Sequence, residues 1–394
     1  MQIRATRKGK WAVLLLAAIS LTSLIAAACG GDDDTTKTPP AAATAATGSP
    51  AATKPSTGLP ANVGKNEKAQ LNGAGATFPA PIYQAWFDDY NKKVAKGVQI
   101  NYQSLGSGAG IQQFTANTVD FGASDAPMSD AELAKATDAQ HVPTVIGAVV
   151  MTYNLSGITS LKLDGDTVAK IYLGVIKKWN DPAIASQNAG VNLPSADIQV
   201  AYRSDSSGTT FVFTDFLSKV SADWKTAVGT NKAPNWPAGQ GGKGNEGVTN
   251  VVKQTPNSIG YVELNYAAQN KLPFADIKNK AGKYVKPTIE SASAAASAVT
   301  VPDDYRVSIT NADGDAVYPI TSFTYLLVYK TTGKCNQQTP LANFLWWSTH
   351  DASAAATVKE LNYSPLPSNL LPKIEATIKS LKCDGGAKAS LSAG

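Results

Sequence analysis

The chain has 394 residues, 43% of them hydrophobic and 16% charged, with 35 Lys and Arg against 30 Asp and Glu and a formal charge of +5. Arg4, Arg7, Lys8 and Lys10 crowd the extreme N-terminus, so the remainder is close to neutral and a basic nucleic-acid-binding surface is excluded. The two histidines and three cysteines show no metal-ligand spacing, so neither a zinc site nor another metal or cofactor is expected.

In chain order, the basic cluster is followed by an apolar run from Trp11 to Ile25 and then by small residues ending at Cys29. Residues 1–28 therefore read as a secretory signal peptide. The junction Ala26-Ala-Ala-Cys29 resembles a bacterial lipobox, which would make Cys29 a lipidated first mature residue. An ordinary signal peptide cleaved near Ala28, or an uncleaved anchor, is the alternative. Residues 29–68 are rich in Ala, Thr, Pro, Gly and Ser and poor in large apolar side chains. Such a segment cannot bury enough surface to offset chain entropy, so it reads as a flexible tether with a reach of about 35 Å.

The body from Ala69 onward is long enough for two domains, and short β-rich runs alternate with amphipathic stretches, which predicts α/β layering. Strands are expected over 98–103, 145–153, 199–202, 258–262 and 325–329. The run at 145–153 is almost wholly apolar, as in a strand buried on both faces. Helices are expected over 82–90, 111–117 and 211–217, after Ser129, and over 341–361, the last capped by Thr339 with Pro340 at its first position. Trp346 and Trp347 on that helix read as core. Cys335 and Cys383, left over once Cys29 is set aside, are expected to pair in a secreted context, with two free thiols as the alternative. The bridge would close a loop worth about 4 kcal/mol in the chain-entropy picture.

The most informative run is Tyr202-Arg-Ser-Asp-Ser-Ser-Gly-Thr-Thr-Phe211. It sets a cation, Arg203, a carboxylate, Asp205, hydroxyls and Gly208 where an apolar helix begins. A helix start leaves backbone N–H groups unpaired and carries partial positive charge, and small residues let an anion reach them. An N-cap with a surface ion pair is the plainer reading. Three other segments share this chemistry. Gly73-Ala-Gly-Ala-Thr-Phe-Pro-Ala-Pro81 offers Thr77 and the backbone of Phe78, and Phe78 stands where a dinucleotide fingerprint needs its third glycine. Gly106-Ser-Gly-Ala-Gly110 offers Ser107. Val119-Asp-Phe-Gly-Ala-Ser-Asp-Ala-Pro127 carries Asp125, which alone reads as an Asx turn or a cap. The glycine-rich 239–247 run has Gly244 where a P-loop needs Ser or Thr after its Lys, so it reads as a structured loop with a backbone role.

Taken together, segments 73–81, 102–113, 118–130, 142–150, 171–181, 203–213, 239–247 and 259–266, with Trp236-Pro237 and Tyr318-Pro-Ile-Thr-Ser322, resemble the periplasmic phosphate-binding proteins of Pst-type ABC importers. The resemblance covers essentially the whole body. It implies an α/β, type II periplasmic-binding-protein fold, two α/β domains joined by hinge strands with the ligand in the cleft. Domain 1 would be 69–146 with 317–394, and domain 2 would be 147–316. It implies phosphate ligation by Thr77, Phe78 through its backbone, Ser107, Asp125, Arg203, Ser207, Gly208 and Thr209, with Asp205 orienting the arginine. Two positions depart from the pattern: Gly108, where many relatives have a second serine, and Ser206, where many have glycine.

The implied protein is no enzyme. It is a monomeric receptor that binds inorganic phosphate and hands it to a membrane permease of a phosphate ABC importer. It would work at the outer face of the cytoplasmic membrane or in the periplasm, held to the membrane through its lipid anchor. A phosphate sensor or scavenger without import, or a receptor for a related oxyanion, is the alternative. A phosphatase reading finds no histidine in the motifs and no activated nucleophile. Asp125 sharpens the ligand: a carboxylate beside an anion makes sense only if that anion still carries a hydrogen to donate, as phosphate does at neutral pH and sulfate does not.

Overall fold

The computed structural model describes residues 63–64 and 66–385. The signal peptide, Cys29 and most of the expected tether lie outside the described residues. The tether's final residues are tied to the body: the Glu67 carboxylate accepts from the Gly64 amide at 3.2 Å and from the Asn343 side chain. Among the described residues no helix is long and apolar enough to cross a membrane.

One eight-stranded sheet carries the molecule. In chain order its strands are β1 (Ala69–Gly75), β2 (Val98–Ser104), β3 (Phe121–Ser124), β4 (Ala139–Asn154), β5 (Gln199–Arg203), β6 (Gln240–Gly242), β7 (Ser258–Glu263) and β8 (Thr321–Tyr329). Their spatial order is β2-β1-β3-β8-β4-β7-β5-β6. The outer three on each side are parallel to one another, and β8 and β4 run antiparallel between them. Parallel strands need crossovers, and four helices that follow strands bear on the site: α1 (Ala80–Asp89), α2 (Ser107–Thr115), α3 (Gly208–Val220) and α4 (Gly244–Gln254).

The 16-residue β4 is the spine. Residues 139–148 pair with β8, and 149–154 pair with β7, so one strand belongs to both halves of the sheet. Its apolar run is buried throughout, as a strand covered on both faces must be. The strand starts earlier than sequence patterning predicts because it passes through Pro143. The register shifts between Thr324 and Tyr325, and a bulge there admits a residue that cannot donate to the ladder.

Other boundaries also differ from expectation. The helix expected over 341–361 is two helices, Cys335–His350 and Ala352–Glu360. Asp351 divides them, its carboxylate capping the second through the Ser353 amide at 2.8 Å. Pro340 is not at the first turn but inside the first helix. It is tolerated because Asn336, whose carbonyl it leaves unpaired, is exposed and can be hydrated. Trp346 and Trp347 are core residues, 2% and 1% exposed. Cys335 and Cys383 face each other with Cα atoms 5.2 Å apart, the separation a disulfide requires.

Candidate functional site

The parallel strands of both halves deliver their C-terminal ends to one place, where open α/β sheets bind ligands. Thr77 and Phe78 follow β1, Ser107 follows β2, Asp125 follows β3 and Ser207 to Thr209 follow β5. The sequence-predicted site residues are thus brought together from four separate crossovers. The candidate ligand groups are buried: Phe78, Ser107, Ser207 and Thr209 are 0% exposed, Asp125 1%, Thr77 and Arg203 2%, whereas Asp205 is partly exposed.

Helix ends supply the local electrostatics. The starts of α1, α2 and α4 have no side-chain cap. The leading N–H groups of α1 and α2 carry partial positive charge toward the site, while the first two of α4 donate to Asp205 Oδ1 and Thr77 Oγ1. At the start of α2 the chain turns through Gly106, whose φ of +98° suits glycine, so Ser107 lies in the first helical turn rather than in a preceding loop. α3 begins at Gly208, three residues earlier than its apolar stripe suggests, with Ser207 as its cap.

Arg203 is held by a fork. Its Nε donates to Asp205 Oδ1 at 2.8 Å and its Nη2 to Asp205 Oδ2 at 2.5 Å, leaving Nη1 to donate to Thr209 Oγ1 at 3.2 Å. Burial would raise the Asp205 carboxyl, but the Arg203 hydrogen bonds and charge, with the Gly244 amide, outweigh it and hold Asp205 below the ordinary carboxylate value. The guanidinium is therefore fixed in orientation, with its charge partly offset by Asp205.

Asp125 is different. Its Oδ1 accepts from the Thr324 hydroxyl at 2.8 Å, while Oδ2 has no hydrogen-bond partner among the described residues. Burial pushes this carboxyl up to about 7, against the opposing Thr324 hydrogen bond, the Arg203 charge and the neighbouring Thr209 hydroxyl, which stands near Asp125 without meeting hydrogen-bond geometry. It is neither a helix cap nor an Asx turn: the next helix, Asp130–Leu133, is capped by Ser129 in a capping box with Glu132. An orphaned, buried carboxylate oxygen among hydrogen-bond donors suits a ligand that brings its own proton.

The hydroxyls are wired as donors. Ser107 Oγ accepts from the Asp125 amide at 3.3 Å, and Ser207 Oγ accepts from the Thr210 amide at 3.0 Å. Thr77 Oγ1 accepts from Asn245 twice, from its amide N at 3.1 Å and its Nδ2 at 2.7 Å. Oxygens that already accept leave their hydrogens for an anion.

The two halves touch here. Gly108 N donates to Ser206 O at 2.9 Å, and Lys232 forms an ion pair with Glu132. A Cβ on Gly208 would lie 2.4 Å from Ser107 Oγ and 2.7 Å from Asp125 Oδ2, so only glycine lets β5's loop approach the other half. The two departures from the family pattern also meet. A Cβ on Gly108 would lie 2.4 Å from Ser206 Cβ and 2.2 Å from its Oγ. Only one of the pair can carry a side chain where these two segments meet. Gly108→Ser alone is expected to weaken anion binding by at least about tenfold by forcing these two segments of the site apart, and Gly108→Ser with Ser206→Gly to restore it, as read by calorimetry.

Sequence reasoning missed two residues. Asn245, in the first turn of α4, is fully buried and joins Thr77 to Thr209. The 239–247 run lacks the Ser or Thr of a P-loop and reads from sequence as a structured loop with a backbone role, which gives Asn245's side chain no signal. Thr324 on β8 supports Asp125 from 199 residues away, a pairing no local pattern displays.

A family model described as PBP superfamily domain matches residues 40–352. The phosphate-binding protein PstS of Xylella fastidiosa (strain 9a5c) is 46% identical over 321 residues, covering 80% of this chain and 87% of that protein. The chain belongs to the PstS family of phosphate-binding proteins. PstS of Pasteurella multocida (strain Pm70) is 48% identical over 318 residues, 79% of this chain and 90% of that protein. Among solved structures, a high-affinity periplasmic phosphate-binding protein (PfluDING) bound with phosphate superposes with a TM-score of 0.65 at 24% identity, covering 78% of this chain and 93% of that one. The family's architecture, the type II periplasmic-binding-protein fold, is the one described above.

Proposed function

We propose that the protein binds inorganic phosphate outside the cytoplasm and delivers it to a Pst-type ABC permease. The observation that carries this reading is Asp125: a buried carboxylate with one unpartnered oxygen, set among hydroxyl donors, Arg203 and helix starts. The binding set is Thr77, the backbone of Phe78, Ser107, Asp125, Arg203, Ser207, Gly208 and Thr209, with Asp205 holding the arginine. The protonated edge of phosphate donates to Asp125, and its other oxygens accept from the remaining groups. The chemistry is binding rather than hydrolysis. Among the described residues no hydrogen bond passes the hydroxyl hydrogen of Ser107, Ser207 or Thr77 to a base, the contact that would activate a nucleophile; the bonds they make are accepted from N–H groups.

In this reading 69–146 with 317–394 and 147–316 are two domains that close by hinge motion. The change of partner along β4 between Ala148 and Val149 supports a hinge there. Cys29 carries the lipid that keeps the receptor at the outer face of the membrane, the segment after it is the tether, and Cys335 and Cys383 form a disulfide. The receptor acts as a monomer. Calorimetric titration of the phosphate-free protein tests the core of the proposal. Phosphate is expected to bind at least about tenfold more tightly than sulfate at neutral pH; equal affinities would remove the role given to Asp125.

A further inference from the structure

Asn245 touches both halves of the site, and its chemistry can be read atom by atom. Its Oδ1 accepts from the Glu263 backbone N–H at 2.9 Å. A backbone N–H can only donate, so this contact fixes which end of the amide is oxygen. Nδ2 is thereby forced to face the hydroxyls, and its two hydrogens go to Thr77 Oγ1 at 2.7 Å and Thr209 Oγ1 at 3.1 Å. Each of these oxygens has a second donor: the Asn245 amide N for Thr77, and Arg203 Nη1 for Thr209. A hydroxyl oxygen accepts through two lone pairs. With both filled, the remaining hydrogen of Thr77 and of Thr209 must point away from Asn245.

We infer that Asn245 is a positioning residue for anion recognition, whose amide, locked by the Glu263 N–H, turns the Thr77 and Thr209 hydroxyls into obligate donors. This rests on the phosphate-site reading above. Without the Asn245 side chain each hydroxyl keeps one donor, the backbone N–H of residue 245 for Thr77 and Arg203 Nη1 for Thr209, and its second lone pair is free to face the anion, which repels it instead of binding it. Thr77 follows β1 and Asn245 follows β6, at opposite sides of the sheet. The contact therefore forms across the cleft, and donor orientation and closure are set by the same side chain. The residue is 0% exposed, and Thr249 Oγ1 donates to its carbonyl at 2.7 Å, so its own position leaves little freedom.

A double-mutant cycle on the full protein tests this, with phosphate affinity read by calorimetry and the phosphate-free unfolding midpoint read in parallel. Asn245→Ala is expected to weaken phosphate binding at least about tenfold in the wild-type background. In a Thr77→Val, Thr209→Val background, which has no hydroxyls to orient, the same change is expected to alter affinity by no more than about twofold. If Asn245→Ala fails to fold, Asn245→Ser, which can donate only one hydrogen bond, carries the same cycle with the same expected contrast. An equal loss in both backgrounds, or no loss in either, overturns the inference. Thr77→Val and Thr209→Val separate the two levels. If they leave phosphate affinity unchanged, the site reading itself fails; if they weaken it while the Asn245 effect stays additive, only the orienting role fails.

Discussion

Asp125→Asn is expected to reduce the preference for phosphate over sulfate at neutral pH by about 5- to 150-fold, from both directions. The amide loses the acceptor that pairs with the phosphate proton, and it removes the negative charge that faces sulfate. An unmatched buried polar contact costs about 1–3 kcal/mol, and more when charged, which sets the range. The Asp125 carboxyl lies at about 7, raised chiefly by burial, and this adds a pH signature. Above that value the group is ionised and rejects an anion without a proton; below it the group is protonated and can donate. Sulfate carries no proton across this range, so its affinity reports the protein alone. Sulfate binding to the wild type is expected to strengthen from about pH 8 to about pH 6, while Asp125→Asn, which cannot ionise, stays flat. Calorimetry with sulfate across pH checks both. A flat wild-type profile would show that the charge state of Asp125 does not set selectivity.

Arg203→Ala is expected to weaken phosphate and sulfate alike, by at least about a hundredfold, because the guanidinium is the single fixed cation of the site and makes no distinction between protonated and bare oxyanions. The change also leaves Asp205, whose side chain is 12% exposed, without its cation and with the Gly244 amide still donating to it. Breaking a buried pair from one side costs about 3–5 kcal/mol of stability. Adding Asp205→Ala is therefore expected to recover much of the unfolding midpoint and none of the affinity. Arg203→Lys keeps a charge but cannot form the fork, and is expected to fall between wild type and alanine. Thermal unfolding read beside calorimetry separates the two effects. Unaltered phosphate affinity in Arg203→Ala would show that the site lies elsewhere.

Much of the site was legible in the chain because its parts are local. Arg203, Asp205 and Ser207 to Thr209 fall within one short run, and a glycine-rich start to a helix is a statement about backbone that a few neighbouring residues make. The strands read correctly where alternation or continuous apolarity was unbroken, as at 98–103 and 145–153. The failures came where a distant contact overrode a local signal. Pro340 looks like a helix start but sits inside a helix, where the carbonyl it leaves unpaired belongs to the exposed Asn336. The strand expected over 145–153 begins at Ala139 and carries Pro143 at a bulge.

Asp125 and Asn245 mark the boundary most clearly. The sequence by itself determined that several hydroxyls, one arginine and a carboxylate stand at helix starts in small-residue loops, because propensity, glycine placement and capping chemistry act within a few residues. Only the tertiary structure decided that Asp125 is no cap, that Thr324 occupies one of its oxygens and leaves the other orphaned, and that Asn245 faces Thr77 across the cleft. The reason is physical. A donor's direction and a carboxyl's protonation depend on every group that packs against it, and those groups come from strands at opposite sides of the sheet.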